Sequence, residues 1–299
     1  MTKEQVEQVR RFSRTTAERI GVLHEHHLGG TRPYGQARLL WQLGDDGGPH
    51  DVRTVRDRLG LDSGYLSRLL RALEGDGLVA LAPHPDDRRV RTVRLTEAGR
   101  RERARLDERS DAHAAALLAP LSPDRRTELT DAMAKVERLL TAATVTLDPL
   151  DPDHPDAAYC LHAYAAELAE LFAEGFDPAA SLLPDPEALR APRGLFLVAR
   201  LHGEPVGCGG LKLPPGAPAE IKRLWVRPSA RGLGLARRLL AELEERAARH
   251  GAGAVRLDTH RALTAATRLY RESGYTEVPA FNDEPYAHHW FEKRTGDMA

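Results

Sequence analysis

A chain of 299 residues that is 41% hydrophobic, with a formal net charge of −1, is long enough for two domains with cores of their own, and it is no uniformly basic protein. The charge is uneven: residues 1–142 carry 25 Lys and Arg against 22 Asp and Glu, residues 143–299 carry 18 against 22, and a phosphate-contacting surface therefore fits the first part. Two cysteines without metal-ligand spacing (Cys160 and Cys208), an N-terminus without an apolar signal core and no run of membrane-crossing length argue for a cytoplasmic protein with no metal site and no membrane partner.

In chain order, Val6, Val9 and Phe12 begin one helical stripe, and Leu39, Leu40 and Leu43 belong to another. His24, His26 and His27 share no clean i, i+4 geometry and read as a polar helix end rather than as metal ligands. The stretch "DVRTVRDRLGLDSGYLSRLLRALEGDGLV" predicts two short helices about a tight turn. Val52, Val55 and Leu59 form the inner face of the first, Gly60 permits the turn, and Asp62 or Ser63 caps the second. Leu66, Leu69, Leu70 and Leu73 share one face of that second helix, which leaves Ser63, Tyr65, Ser67, Arg68 and Arg71 outside it, as major-groove reading requires. "HPDDRR" then joins two β-like runs into a basic hairpin carrying Asp87, Arg88 and Arg89, suited to placing an arginine in a minor groove. A solvated basic face on a protein-interaction domain is the competing reading, but helix, turn, helix and basic hairpin in succession favour DNA.

The run "LDSGYLSRLLRALEGDGLVALAPHPDDRRVRTVRLTEAG" resembles the winged-helix core of MarR-type transcription regulators, including the Asp-x-Arg wing at Asp87 to Arg89 and the "LTEAG" that opens the next helix. The resemblance implies a homodimer held by N- and C-terminal helices on a pseudo-palindromic double-stranded operator. It also implies recognition-helix contacts from Tyr65, Ser67, Arg68 and Arg71, a minor-groove contact from Arg89, and an orienting role for Asp87. Near the end of this half Met133, Val136 and Leu140 recur on one helical face.

At "TVTLDPLDPDHPD" the texture changes, and a domain boundary is expected between residues 142 and 143. Beyond it "LFLVARL", "GCGGLKL", "EIKRLWV", "AVRLDT" and "HHWFEK" are predicted strands, interleaved with helices over about 156–174, 232–249 and 263–273. The richest segment is "RPSARGLGLARR": a strand enters it and an amphipathic helix leaves it, with Ala236, Leu239, Leu240 and Leu243 on the buried face. Gly232 and Gly234 allow backbone N–H groups to converge at the helix N-terminus, where the dipole favours an anion, and Arg227, Arg231, Arg237 and Arg238 add positive potential. A glycine-rich turn used only for packing is the plainer alternative. No Gly-Lys-Ser/Thr is present for a P-loop, and arginine stands where a dinucleotide fingerprint needs its third glycine.

Arg231-x-x-Gly234-x-Ala236 after a strand resembles the acyl-CoA pyrophosphate loop of the GNAT (GCN5-related) N-acetyltransferases. The resemblance implies an α/β domain whose mixed, mostly antiparallel sheet contains a central splayed strand pair flanked by helices. It implies acetyl-CoA as the acyl donor, its pantetheine arm on backbone groups of Trp225, Val226 and Arg227. The pyrophosphate would sit on the N–H groups of Arg231, Gly232, Leu233, Gly234, Leu235 and Ala236. Transfer to an amine needs a deprotonated nucleophile and a proton for the leaving thiolate. Glu220 is the candidate base, with a strand-end salt bridge as its alternative. Tyr270, on a stripe with Leu263 and Ala266, is the candidate acid, with a simple core role as its alternative. Leu263 departs from the asparagine that the family often has there. The acceptor is expected to enter between residues 157–178 and the last hairpin, near Tyr164, Glu167 and Glu170. The expected whole is a DNA-binding regulator fused to an acetyltransferase acting on an amine of a small molecule. A regulator with a non-catalytic acyl-CoA sensor, or a protein-lysine acetyltransferase, are the alternatives.

Overall fold

The computed structural model describes residues 1–20, 32–44, 48–84, 87, 89–172, 175–177, 181 and 186–297. The chain forms two compact units, Met1–Thr130 and Asp131–Ala299. The first contains α1 (Lys3–Ile20), α2 (Tyr34–Gln42), β1 (His50–Asp51), α3 (Val52–Leu59), α4 (Ser63–Gly75), β2 (Val79–Pro83), β3 (Arg91–Leu95) and α5 (Glu97–Leu118), and the start of α6 (Pro123–Ala143). The division thus falls inside α6, upstream of residue 143. The last turn of α6 is tied into the second unit, because the Arg238 guanidinium donates to the carbonyls of Ala142 and Val145, each at 2.8 Å.

In the first unit the leucines of α4 drive the packing. Leu66, Leu69, Leu70 and Leu73 are all buried, with Leu39, Leu40 and Leu43 of the α2 segment in the same cluster. Each such leucine contributes roughly 1.5–3 kcal/mol of burial free energy. Gly60 ends α3 at φ 62°, a left-handed turn that suits glycine, and Asp62 caps α4 by accepting the Tyr65 N–H at 3.0 Å. The strands form a three-stranded sheet in the order β1-β3-β2, the wing of the winged helix. Thr96 caps α5, and the glycine three residues on is sterically required: a Cβ at Gly99 would lie 2.0 Å from the carbonyl oxygen of Leu78. On α1 and α6 the predicted apolar stripes form but face outward, with Phe12 45% and Leu140 62% exposed.

The second unit contains β4 (Thr146–Leu150), α7 (Pro155–Leu171), β5 (Gly194–Leu201), β6 (Glu204–Lys212), β7 (Ala219–Val226), α8 (Leu235–Arg249), β8 (Ala254–Thr259), α9 (Thr264–Glu272), β9 (Thr276–Val278) and β10 (His289–Arg294). The strands make one seven-stranded sheet, order β4-β5-β6-β7-β8-β10-β9, in which β7 and β8 are the parallel pair. Alternation along β5 shows how it is covered. Leu197 and Ala199 join the cluster built on α8, while Phe196 and Val198 join the cluster built on α7, so the helices lie on opposite faces. This is the expected α/β architecture of helices about a mostly antiparallel sheet with a central parallel pair.

Candidate functional site

The site begins where that parallel pair comes apart. β7 and β8 are in register only at Ala219 with Val255 and Glu220 with Arg256. Farther along, a cavity of about 790 Å³ is lined by Ile221 to Val226 on one strand and by Asp258 and Thr259 at the end of the other. A bulge in β7 helps to shape this wall: Trp225 faces Cys208 and Lys222 faces Gly210, which leaves Arg223 and Leu224 opposite Gly209. Arg223 occupies the left-handed region at φ 59°, a strained conformation for a non-glycine residue.

After β7 a 3-10 turn at Pro228–Ala230 leads into the glycine loop. Gly232 and Gly234 have φ values of 81° and 75°, and a Cβ at either would meet no atom within 4 Å, so both border open space. Gly234 is the N-cap of α8, and no side chain caps that helix. The first-turn N–H groups of α8 thus stand at the positive end of a helix dipole with no side-chain acceptor, which is the requirement for anion binding. Of the expected cofactor residues, Trp225, Val226, Arg231, Gly232, Gly234, Leu235 and Ala236 line the cavity; Arg227 and Leu233 do not.

The four arginines are more committed than their sequence suggests. Arg231 pairs with Glu167 and donates to the Val226 carbonyl at 3.0 Å; Arg237 pairs with Glu272 at 2.7 Å; Arg238 holds the end of α6. Arg227 bonds to the Tyr159 hydroxyl and lies over that ring, 5.1 Å from its centre. Backbone groups, more than guanidinium charge, are thus left available to an anion at this helix end. Glu167, three turns into α7, braces the loop twice, accepting from Trp225 Nε1 at 2.9 Å as well as from Arg231. Its place on an amphipathic helix gave no sign of this.

Tyr270 lines the cavity while its ring packs at 6.0 Å from Tyr275 and 5.8 Å from Phe291, so it is both a core ring and a cavity group. Burial, reinforced by the neighbouring Tyr164 and Asp258, raises its phenol well above the usual tyrosine range. Burial likewise pushes Tyr164 up to about 12. Both stay protonated at neutral pH and can donate a hydrogen bond. Leu263 also lines the cavity, at the N-cap of α9.

Glu220 departs from its expected position. It lies at the last register pair before the strands separate, outside the cavity lining, and sits between Lys212 at 3.3 Å and Lys222 at 3.6 Å. The salt-bridge alternative describes it; the splay that opens the cavity starts one residue too late to include it. The carboxylates that line the cavity are Glu167, Glu272, Asp258 and Glu284. Asp258 is paired with Lys222 and accepts from Asn282 at 3.0 Å. Glu284 accepts from Ser181 Oγ at 3.1 Å and from the Tyr286 N–H at 3.4 Å. Glu170 is exposed on α7 and does not line the cavity.

In the first unit, Ser63, Tyr65, Ser67, Arg68 and Arg71 are all on the exposed side of α4, and Arg89 and Asp87 are exposed at the wing tip. Two details differ from expectation. The Tyr65 hydroxyl turns onto α2, where a Cβ at Gly35 would be 2.4 Å from it, so this ring buttresses the α2–α4 packing and shows only part of itself to solvent. Asp87 accepts the backbone N–H of Arg89 at 2.9 Å, fixing the turn rather than the guanidinium. Arg88, His24, His26 and His27 lie outside the described residues. Among the described residues no cluster of three or more His, Cys, Asp or Glu is arranged to hold a metal, and no helix is long and apolar enough to cross a membrane.

Residues 161–275 match the model of the acetyltransferase (GNAT) family and residues 29–90 that of the MarR family. The chain is 35% identical over 121 residues to an IAA acetyltransferase of Azospirillum brasilense, an alignment covering 40% of this chain and 78% of the relative. It is 40% identical over 100 residues to an uncharacterized N-acetyltransferase of Schizosaccharomyces pombe, 32% of this chain and 58% of that one. An uncharacterized HTH-type transcriptional regulator of Bacillus subtilis is 29% identical over 82 residues, 27% of this chain and half of the regulator's length.

Proposed function

We propose, for a chain that belongs to the GNAT acetyltransferase family and carries a MarR-family domain ahead of it, a division of labour. The second unit moves an acetyl group from acetyl-CoA to the amine of a small molecule, and the first binds a pseudo-palindromic DNA operator as a homodimer. The observation that carries the enzymatic half is the uncapped N-terminus of α8, opening with Gly232 and Gly234 onto a cavity at the splay of β7 and β8.

The residues present fit the donor. Gly232, Gly234, Leu235 and Ala236 would hold its diphosphate through backbone N–H groups, and the separated edge of β7 near Trp225 and Val226 would hold the pantetheine arm. Bound acetyl-CoA supplies an activated thioester carbonyl. This chain's residues then do three things. The loop, braced by Glu167, fixes the donor's position. Tyr270, a phenol on the cavity lining, delivers its proton to the departing sulfur as the new carbon–nitrogen bond replaces the carbon–sulfur bond, and is reprotonated from solvent. With Glu220 outside the cavity, the proton lost by the amine leaves through cavity water or through the lining carboxylates Asp258 and Glu284.

The placement of Glu220 favours a second reading, an acyl-CoA sensor that controls DNA binding without turnover. Calorimetry with acetyl-CoA and thiol release across a panel of amines separate the two. Heat with turnover supports the transferase, heat without turnover selects the sensor, and no heat at millimolar donor removes both. In the transferase, Tyr270→Phe lowers kcat by about 10²-fold or more while leaving donor affinity within twofold. An unchanged kcat returns Tyr270 to the core alone.

A further inference from the structure

We propose that the part of the cavity walled by Phe176 and Tyr286 is an acceptor subsite for an arylalkylammonium, a primary amine carried on a flat apolar body; this rests on the acetyl-transfer reading above. Phe176 and Tyr286 are half-buried rings that line the cavity with centres 5.0 Å apart. Phe172 is buried against both, at 5.7 and 5.8 Å, and is itself stacked on His260 at 3.7 Å. The wall is fixed from both sides: Tyr286 Oη accepts the Asp177 N–H at 2.9 Å, and Ser181 Oγ donates to Glu284 at 3.1 Å.

Rings held this firmly yet left half open on a cavity offer a face to an occupant. A flat apolar body stacks on such a face and an ammonium is attracted to it. The charge nearby agrees. Glu284, 9% exposed, borders the same cavity as the rings and is the carboxylate an ammonium there would meet, since Asp258 is already paired with Lys222.

The test titrates the full chain by calorimetry, alone and again with saturating CoA, with 2-phenylethylamine, its alcohol 2-phenylethanol, and propylamine. The expected result is 2-phenylethylamine binding at least ~10-fold tighter than either analogue, the combined effect of stacking and cation–π attraction. Phe176→Leu should weaken it by about tenfold without changing acetyl-CoA affinity. Glu284→Gln should erase the preference for amine over alcohol; if Phe176→Leu melts early, Tyr286→Leu gives the same ring test from the opposite segment. Equal binding of propylamine, a preference surviving Glu284→Gln, or no binding of any of the three overturns the subsite. Thiol release from acetyl-CoA separates the two readings. Turnover with propylamine or a lysine peptide but not with 2-phenylethylamine defeats the subsite and leaves the transferase, whereas tight 2-phenylethylamine binding without turnover of any amine defeats the transferase and with it the acceptor role, leaving an amine-binding site.

Discussion

Replacing Gly234 by alanine separates two effects that a glycine loop usually confounds. Gly234 has φ 75°, so an alanine there costs about 1–2 kcal/mol of backbone strain. It adds no clash, since nothing of the protein lies within 4 Å of the new Cβ. Melting of a unit this size should therefore fall by only about 2–8 °C. Donor binding is another matter, because the methyl group stands at the edge of the cavity, where the α8 N–H groups would meet the proposed diphosphate. Losing one hydrogen bond to a charged group costs about 1.5–3 kcal/mol, or roughly 10- to 150-fold in Kd. Gly216→Ala is the matched control: φ is 70°, nothing lies within 4 Å, and the residue does not line the cavity, so it has the same strain without a place in the proposed donor site. Calorimetry with acetyl-CoA should show weakened binding for the first variant and unchanged binding for the second. Equal affinity in both would refute the anion cradle.

Three further outcomes are expected. Arg89→Ala should weaken operator binding and reduce the salt dependence by about one counterion while the dimer persists, as read by gel shift across a salt series; an unchanged slope removes the wing contact. Gly99→Ala should destabilise the first unit by about 1–3 kcal/mol or more, because its Cβ would lie 2.0 Å from the Leu78 carbonyl oxygen. Gly75→Ala, with nothing within 4 Å, should be neutral or stabilising by up to about 1 kcal/mol, and denaturant melts of the two variants with the same sign would contradict the packing described. Tyr164 and Tyr270 have folded pKa values raised above the unfolded value, so the folded state holds their protons more tightly. Their contribution to stability is full below about pH 10 and is lost as pH rises through the folded values, about 12 for Tyr164. Phenolate absorbance should show a late-titrating class of tyrosines that joins the early class once the chain unfolds.

What the sequence displayed was what a single element decides. The Asp62 cap, the four leucines of α4, the left-handed Gly60 and the Gly232–Gly234 entry to α8 are each set by backbone sterics or helical period within a few residues, and they appear where local chemistry puts them. What it hid depends on distant elements meeting. Arg231 and Arg237 look like phosphate ligands in the string "RPSARGLGLARR", and only folding brings up Glu167 from α7 and Glu272 from α9 to occupy them. Tyr65 has the position of a base-reading residue until Gly35 supplies the gap for its hydroxyl. The aromatic wall has no periodic signature either, since Phe172 and Phe176 meet Tyr286 from more than a hundred residues away.

Glu220 shows why this matters for mechanism. Simple alternation puts it on one face with Lys222 and Leu224, and those two do line the cavity. The cavity, however, is made by the parting of β7 from β8, and the register of that pair still includes Glu220 with Arg256. A side chain can share a strand face with the cavity lining and still be excluded from the cavity by the last rung of the ladder. The point where the two parallel strands separate therefore decides which side chains border the cavity, and Tyr270, Asp258 and Glu284 are among those that do.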